Sequence, residues 1–78
     1  MIILGVDPGL RASGVAVAEG GGRSFNVRCL EEVKTESSES LPERINFIFS
    51  SLENVVDRFK PSVLVLEKIY SHYRHPTT

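Results

Sequence analysis

The chain has 78 residues, of which 41% are hydrophobic and 24% charged, and its mean hydropathy is −0.04. These values indicate one small globular domain, because the composition is too apolar for a disordered segment. The sequence also lacks the roughly 20-residue apolar run of a membrane-spanning helix. Nine basic and ten acidic side chains leave a net charge of −1, which neither requires nor excludes a nucleic-acid partner. The single cysteine, Cys29, excludes an internal disulfide framework, and without a visible signal peptide the cytoplasm is the expected compartment.

The first predicted element is a buried strand over residues 2–6, a short apolar run rich in β-branched side chains. It ends at Asp7-Pro8-Gly9-Leu10, where proline at the second position and glycine at the third predict a type II turn. A second strand is predicted over residues 13–19.

Three consecutive glycines at 20–22 predict a hairpin turn into a third strand over residues 23–33. In that strand we expect Phe25, Val27 and Cys29 to share one face, because side chains alternate along a strand. The first three strands should therefore form an antiparallel meander.

A long helix follows a polar loop. Ser40 and Glu43 form an S-x-x-E capping box, and Pro42 lies in the first turn, where its missing N–H carries no penalty. Pro61 ends the helix. Apolar residues recur at helical spacing over about five turns, and we expect six of them to form the buried face: Leu41, Ile45, Ile48, Leu52, Val55 and Phe59.

A fourth strand is predicted over residues 62–67, and the helix should return it parallel to the first strand by a right-handed crossover. The expected class is therefore α/β. The first and fourth strands are apolar on both faces, as in sheets covered on both sides. One helix covers only one side, so we expect that the chain is incomplete or that another chain supplies the second layer.

Asp7 and Glu67 lie at the carboxyl ends of these two strands, which is where open α/β sheets bind ligands. If the strands are neighbours, the two Cα atoms are about 5 Å apart, and we expect the carboxylates within about 4–7 Å of each other. Two such carboxylates repel unless a proton or cation lies between them. Singly, Asp7 could be only a turn residue and Glu67 only a strand-end charge, but together they favour a site for Mg²⁺, with Mn²⁺ as the alternative.

Two other kinds of site are weaker interpretations. The glycines near Asp7 match neither a Walker loop nor G-x-G-x-x-G. An actin-like or kinase-type ATP-binding half-domain also begins with a strand and an aspartate, and it stays as the alternative function, although residues 8–11 match its phosphate loop poorly. Two histidines are too few for zinc.

The last residues combine aromatic and basic side chains. Such a segment is often simply solvated, but the mixture is also typical of base stacking with phosphate contact. The candidate DNA-binding residues in this segment are Tyr70, His72, Tyr73, Arg74 and His75.

The sequence resembles the RuvC family of bacterial Holliday junction resolvases over essentially its whole length. The resemblance begins with residues 2–11 and 13–17, which read IILGVDPGLR and SGVAV. It continues with Leu41-Pro42-Glu43-Arg44, and then with residues 61–67 followed by Lys68-Ile69-Tyr70.

The resemblance implies an RNase H-like fold with strand order 3-2-1-4-5 and a Mg²⁺-dependent crossover junction endonuclease of DNA recombination and repair. Asp7 and Glu67 would be its catalytic, metal-binding carboxylates, and Arg11 would join the 70–75 segment on DNA. The implied partners are four-way junction DNA, a second copy in a homodimer and a branch-migration helicase complex, without a membrane.

The family also uses two acidic residues from a later helix, and this chain ends before that region. We therefore expect residues 1–78 to be a single partial nuclease domain, truncated and weak or inactive alone. A non-catalytic fragment that dimerises or binds DNA is the remaining alternative.

Overall fold

The computed structural model describes residues 1–67. Its sheet has the order β3-β2-β1-β4, in which β4 runs parallel to β1 and the other neighbours are antiparallel. The predicted α/β class, meander and parallel return are confirmed. The elements in chain order are β1 (Ile2–Asp7), β2 (Ala12–Gly21), β3 (Ser24–Lys34), α1 (Leu41–Phe59) and β4 (Val63–Leu66).

The core lies on one face of the sheet, beneath α1. Valines dominate it, because β-branched side chains pack well on a pleated surface. Its buried members are Leu4 and Val6 of β1, Val15 and Val17 of β2, Val33 of β3 and Val55 of α1.

The helix begins and ends as its sequence predicts. The Ser40 hydroxyl accepts a hydrogen bond from the Glu43 backbone N–H at 3.3 Å, which caps the first turn. At the other end, Lys60 adopts a left-handed conformation with φ of 49°, and its N–H donates to the Val56 carbonyl at 2.8 Å. Pro61 then prevents further helix.

The predicted buried face of the helix is only partly correct. Ile48, Leu52 and Phe59 pack against the core beside Val55, as expected. Leu41 and Ile45 are instead 54% exposed. Every buried partner of the helix belongs to β1, β2 or β3, and the helix residues that pack on them begin at Ile48, so the first turns of α1 lie outside the core.

The predicted alternation in β3 is wrong, because a bulge interrupts it. Val17 pairs with Cys29 but the next residue, Ala18, pairs with Val27, so Arg28 is the extra residue of the bulged strand. Cys29 therefore faces the core, whereas Phe25 and Val27 lie on the opposite face. The hairpin turn is tighter than predicted: Gly20 and Gly21 belong to β2, and Gly22 has φ of 65°.

The face of the sheet opposite α1 is open. Among the described residues 1–67, no helix packs on it, and Val27 and Leu30 of β3 are 69% and 77% exposed. The edge strand β4 lies outside the cover of the helix, and all four of its residues are exposed. These exposures agree with the expectation that one helix covers only one side.

No helix within residues 1–67 has the length and apolar character needed to cross a membrane.

Candidate active site

The pairing of β1 with β4 brings Asp7 and Glu67 to one end of the sheet. Val6 pairs with Leu66, and the Glu67 backbone N–H donates to the Val6 carbonyl at 3.0 Å. Asp7 and Glu67 are the next residues on these adjacent strands, which run about 5 Å apart. The long crossover through α1 is therefore what makes neighbours of two residues at opposite ends of the described chain.

Both carboxylates line a groove of about 490 Å³ on the open face of the sheet. Gly5, Gly14 and Ala16 form its floor, so the backbone of the central strands is accessible there. A Cβ atom at position 14 would lie 3.6 Å from the Asp7 Cβ, so Gly14 keeps the space beside Asp7 clear.

The groove has the donor chemistry of a hard divalent cation. Asp7 and Glu67 are both exposed, and no Lys, Arg or His among the described residues lines the groove with them. Two like charges without a neutralising partner attract a cation, and carboxylate oxygens suit Mg²⁺ or Mn²⁺. Within residues 1–67 there is no group of three or more potential ligands, so Asp7 and Glu67 supply only part of a coordination shell.

A buried serine shapes the loop that follows Asp7. Ser13 is 1% exposed; its hydroxyl donates to the Gly9 carbonyl at 2.7 Å and accepts from the Gly9 N–H at 3.0 Å. The predicted type II turn is wrong, because Gly9 does not have a positive φ. Glycine is required there for a different reason: a Cβ atom would collide with the Ala12 carbonyl oxygen.

The next two residues of the loop are tied to Thr35, which directly follows β3. The Thr35 hydroxyl donates to the Leu10 carbonyl at 2.6 Å, and the Thr35 N–H donates to the Arg11 carbonyl at 3.0 Å. Arg44 of α1 donates from Nε to the Thr35 hydroxyl oxygen at 2.8 Å. The loop between β1 and β2 is thus held by Ser13 of β2 and by Thr35 at the end of β3, and Thr35 is in turn held by Arg44 of α1.

Of the predicted DNA-binding residues, one lies in the region that the structure describes. Arg11 is exposed in the loop that follows Asp7, and it makes no ion pair with the acidic side chains of residues 1–67. The other candidates lie outside the described residues: Tyr70, His72, Tyr73, Arg74 and His75.

Sequence reasoning missed Ser13, Thr35 and Arg44. None of the three belongs to a recognisable sequence motif for this role, and their hydrogen-bond partners are evident only in the folded loop. The pattern Leu41-Pro42-Glu43-Arg44 contained the arginine, but nothing in it indicated a contact with the loop at Leu10.

Cys29 lies apart from the groove, on the helix side of β3. Burial raises the pKa of its thiol; Glu31 acts in the same direction and Arg58 opposes them. A smaller cavity of about 280 Å³ lies nearby, lined by Glu31, Ser51, Asn54, Val55 and Arg58. Cys29 is partly buried against the core, as expected for a small apolar side chain.

The strand order, the helix between β3 and β4 and the acidic residues ending both parallel strands define an RNase H-like α/β protein. The family model described as "Crossover junction endodeoxyribonuclease RuvC" matches residues 3–78. The chain therefore belongs to the RuvC family, and the predicted resemblance is confirmed.

Individual relatives agree with this assignment. The chain is 37% identical over 70 residues to crossover junction endodeoxyribonuclease RuvC of Pseudothermotoga lettingae, covering 90% of this chain and 43% of that protein. It is 44% identical over 71 residues to that of Neorickettsia sennetsu, covering 88% and 42%. The chain thus spans less than half the length of these relatives.

The fold also matches a solved structure, "T. thermophilus RuvC in complex with Holliday junction substrate", with a TM-score of 0.86 and 28% sequence identity. The match covers 94% of this chain and 46% of that one.

Proposed function

We propose that these residues contribute two metal-binding carboxylates to an endodeoxyribonuclease that hydrolyses phosphodiester bonds at four-way DNA junctions. One observation carries the proposal: in a chain of the RuvC family, Asp7 and Glu67 line the same groove at the carboxyl ends of β1 and β4. Such an enzyme would act in recombination and repair, and the cytoplasm is its proposed compartment. Family membership favours this function over the ATP-binding alternative.

Asp7 and Glu67 would hold Mg²⁺, with Mn²⁺ as a substitute. A bound divalent ion activates water for attack on phosphorus and stabilises charge on the leaving oxygen. The groove floor of Gly5 and Gly14 would admit a DNA strand close to the carboxylates, because glycine has no side chain to fill that space. The contacts of Ser13 with Gly9 support the backbone immediately after Asp7.

Basic and aromatic side chains, rather than the carboxylates, would hold the DNA. Arg11 would contact a phosphate, and Tyr70, His72, Tyr73, Arg74 and His75 would add phosphate contacts and base stacking. The Thermus neighbour with a Holliday junction substrate supports a branched DNA ligand. A homodimer would present two such sites to symmetrical strands, and a branch-migration helicase complex is the further proposed partner.

The proposal is tested with the complete gene product and two labelled DNAs, a synthetic four-way junction and a linear duplex containing the same sequences. We expect tighter binding to the junction, and cleavage only when Mg²⁺ or Mn²⁺ is added. Equal binding to both DNAs, or tight ATP binding without junction cleavage, would contradict the proposal.

A further inference from the structure

Three parts of the chain converge on the side chain of Thr35. The loop between β1 and β2 offers the Leu10 carbonyl, β3 ends one residue before Thr35, and Arg44 reaches from the first turns of α1. The Thr35 hydroxyl is both donor and acceptor, at 2.6 Å to Leu10 and 2.8 Å from Arg44. Its backbone N–H holds Arg11 as well, at 3.0 Å.

These contacts hold the carbonyls of the two peptide units on either side of the Arg11 Cα, while the Arg11 side chain stays exposed. A long cation is more effective at a defined phosphate when its backbone is already fixed, because less freedom is lost on binding. The loop therefore has the geometry of a preorganised support for one exposed guanidinium.

Arg44 differs from Arg11 in its exposure and in its hydrogen bonding. Its Nε is committed to the Thr35 hydroxyl in a partly buried contact, and its side chain is less exposed than that of Arg11. Its donor thus orients Thr35, whose proton then points to the Leu10 carbonyl.

We infer that Thr35 and Arg44 are positioning residues that hold the Leu10–Arg11 loop so that Arg11 meets a DNA phosphate next to the Asp7 groove. The inference rests on the proposed function, since it assigns how that site engages its DNA. Thr35 and Arg44 act through Arg11 and need not touch the nucleic acid.

The test compares substitutions that differ by one interaction, in the complete gene product. Thr35→Val keeps the side-chain shape but removes the hydroxyl, and Thr35→Ser keeps the hydroxyl. Arg44→Met removes the donor, with Arg23→Met as the matched control, because Arg23 is an exposed arginine in the turn between β2 and β3. Arg11→Gln removes the proposed phosphate contact directly.

Affinity for a four-way junction is measured across a salt series. We expect Arg11→Gln, Thr35→Val and Arg44→Met each to weaken binding about tenfold and to lower the salt slope by about one counterion. Arg23→Met and Thr35→Ser should bind like the parent. Combining Thr35→Val with Arg11→Gln should add no further loss, because residues that act through one contact are not additive.

Two binding results would overturn the inference while leaving the proposed function intact. One is a folded Thr35→Val chain that binds like the parent, and the other is a loss that adds fully to that of Arg11→Gln. Amide exchange without DNA gives an independent readout: Thr35→Val and Arg44→Met should speed exchange around Leu10 and Arg11, and unchanged exchange would overturn the inference. A parent protein that binds no junction at all would overturn the proposed function itself.

Discussion

Asp7 carries the proposed chemistry most directly, since it is the last residue of β1 and lies beside Glu67 in the groove. We expect Asp7→Asn to abolish junction cleavage by the complete gene product but to leave junction binding intact. The amide keeps the size of the carboxylate but loses the charge that attracts the cation, whereas the proposed DNA binding draws on arginine and aromatic contacts.

Cleavage and gel-shift assays with and without Mg²⁺ measure the two effects separately. Asp57→Asn is the matched control, because Asp57 is exposed on the helix and does not line the groove. Wild-type cleavage by Asp7→Asn would mean that Asp7 only ends β1 and has no part in cleavage.

Ser13 offers a test of how the loop after Asp7 is held. Ser13→Ala leaves two backbone groups of Gly9 without their partner, so we expect the free energy of unfolding to fall by about 1–3 kcal/mol. Urea denaturation measures this loss, with the exposed Ser38→Ala as the control. A loss as small as that of Ser38→Ala would show that water replaces the hydroxyl without penalty.

Cys29 gives a prediction about pH. Burial raises the pKa of its thiol, with Glu31 contributing in the same direction. The folded state therefore keeps the thiol proton to higher pH than the unfolded state. The protonated thiol thus contributes fully to the free energy of unfolding below the ordinary thiol pKa, and this contribution is lost as pH rises through the raised pKa of the folded state. Alkylation rates should rise at higher pH in the native chain than in urea, and identical profiles would contradict this.

The two carboxylates of the candidate site could be predicted from the sequence because strand ends are local features, marked by an apolar run and its first acidic residue. Ser13, Thr35 and Arg44 could not, because their partners are backbone groups whose positions depend on the folded loop. A hydroxyl on a strand carries no sequence signal for the carbonyl it will meet.

At the scale of the element, α1 contains two adjacent valines that have the same side chain but differ in burial. Val55 is 6% exposed and Val56 is 43% exposed. We expect Val55→Ala to lower the free energy of unfolding by roughly 2 kcal/mol, since two buried methyl equivalents and a cavity are involved. Val56→Ala should change it by less than about 0.5 kcal/mol. Chemical denaturation of both variants is the measurement, and equal losses would contradict the packing of α1.

The bounds of α1 were predictable because the Ser40 cap and Pro61 act locally, but its buried face was not fully so. Leu41 and Ile45 continue the apolar stripe, yet they precede Ile48, the first helix residue that packs on the core. Likewise, the alternation of β3 gave no warning of the bulge at Arg28, which reverses the faces of Phe25 and Val27 relative to Cys29.

At the scale of the whole molecule, no helix among residues 1–67 covers the face of the sheet opposite α1. Val27, Leu30 and Val65 are each more than half exposed there, and apolar patches of this kind promote association. We expect the 78-residue chain to self-associate as its concentration rises, and Val27→Glu with Leu30→Glu to reduce that association. Sedimentation equilibrium measures it, with Asn46→Glu on the exposed side of α1 as the control. A parent chain that stays monomeric at all concentrations would contradict the prediction.

The parallel pairing of β1 with β4 also determines when the groove can exist during folding. The meander of β1, β2 and β3 joins segments that follow one another along the chain, whereas Glu67 reaches Val6 only after α1 has crossed the sheet. Contacts between distant segments form late, because closing a long loop costs entropy before any pairing rewards it. A nascent chain that has already formed its hairpins therefore has one carboxylate at the end of β1 and no second one. Glu67 joins Asp7 only when β4 pairs with β1, so the groove is complete only after the meander has formed.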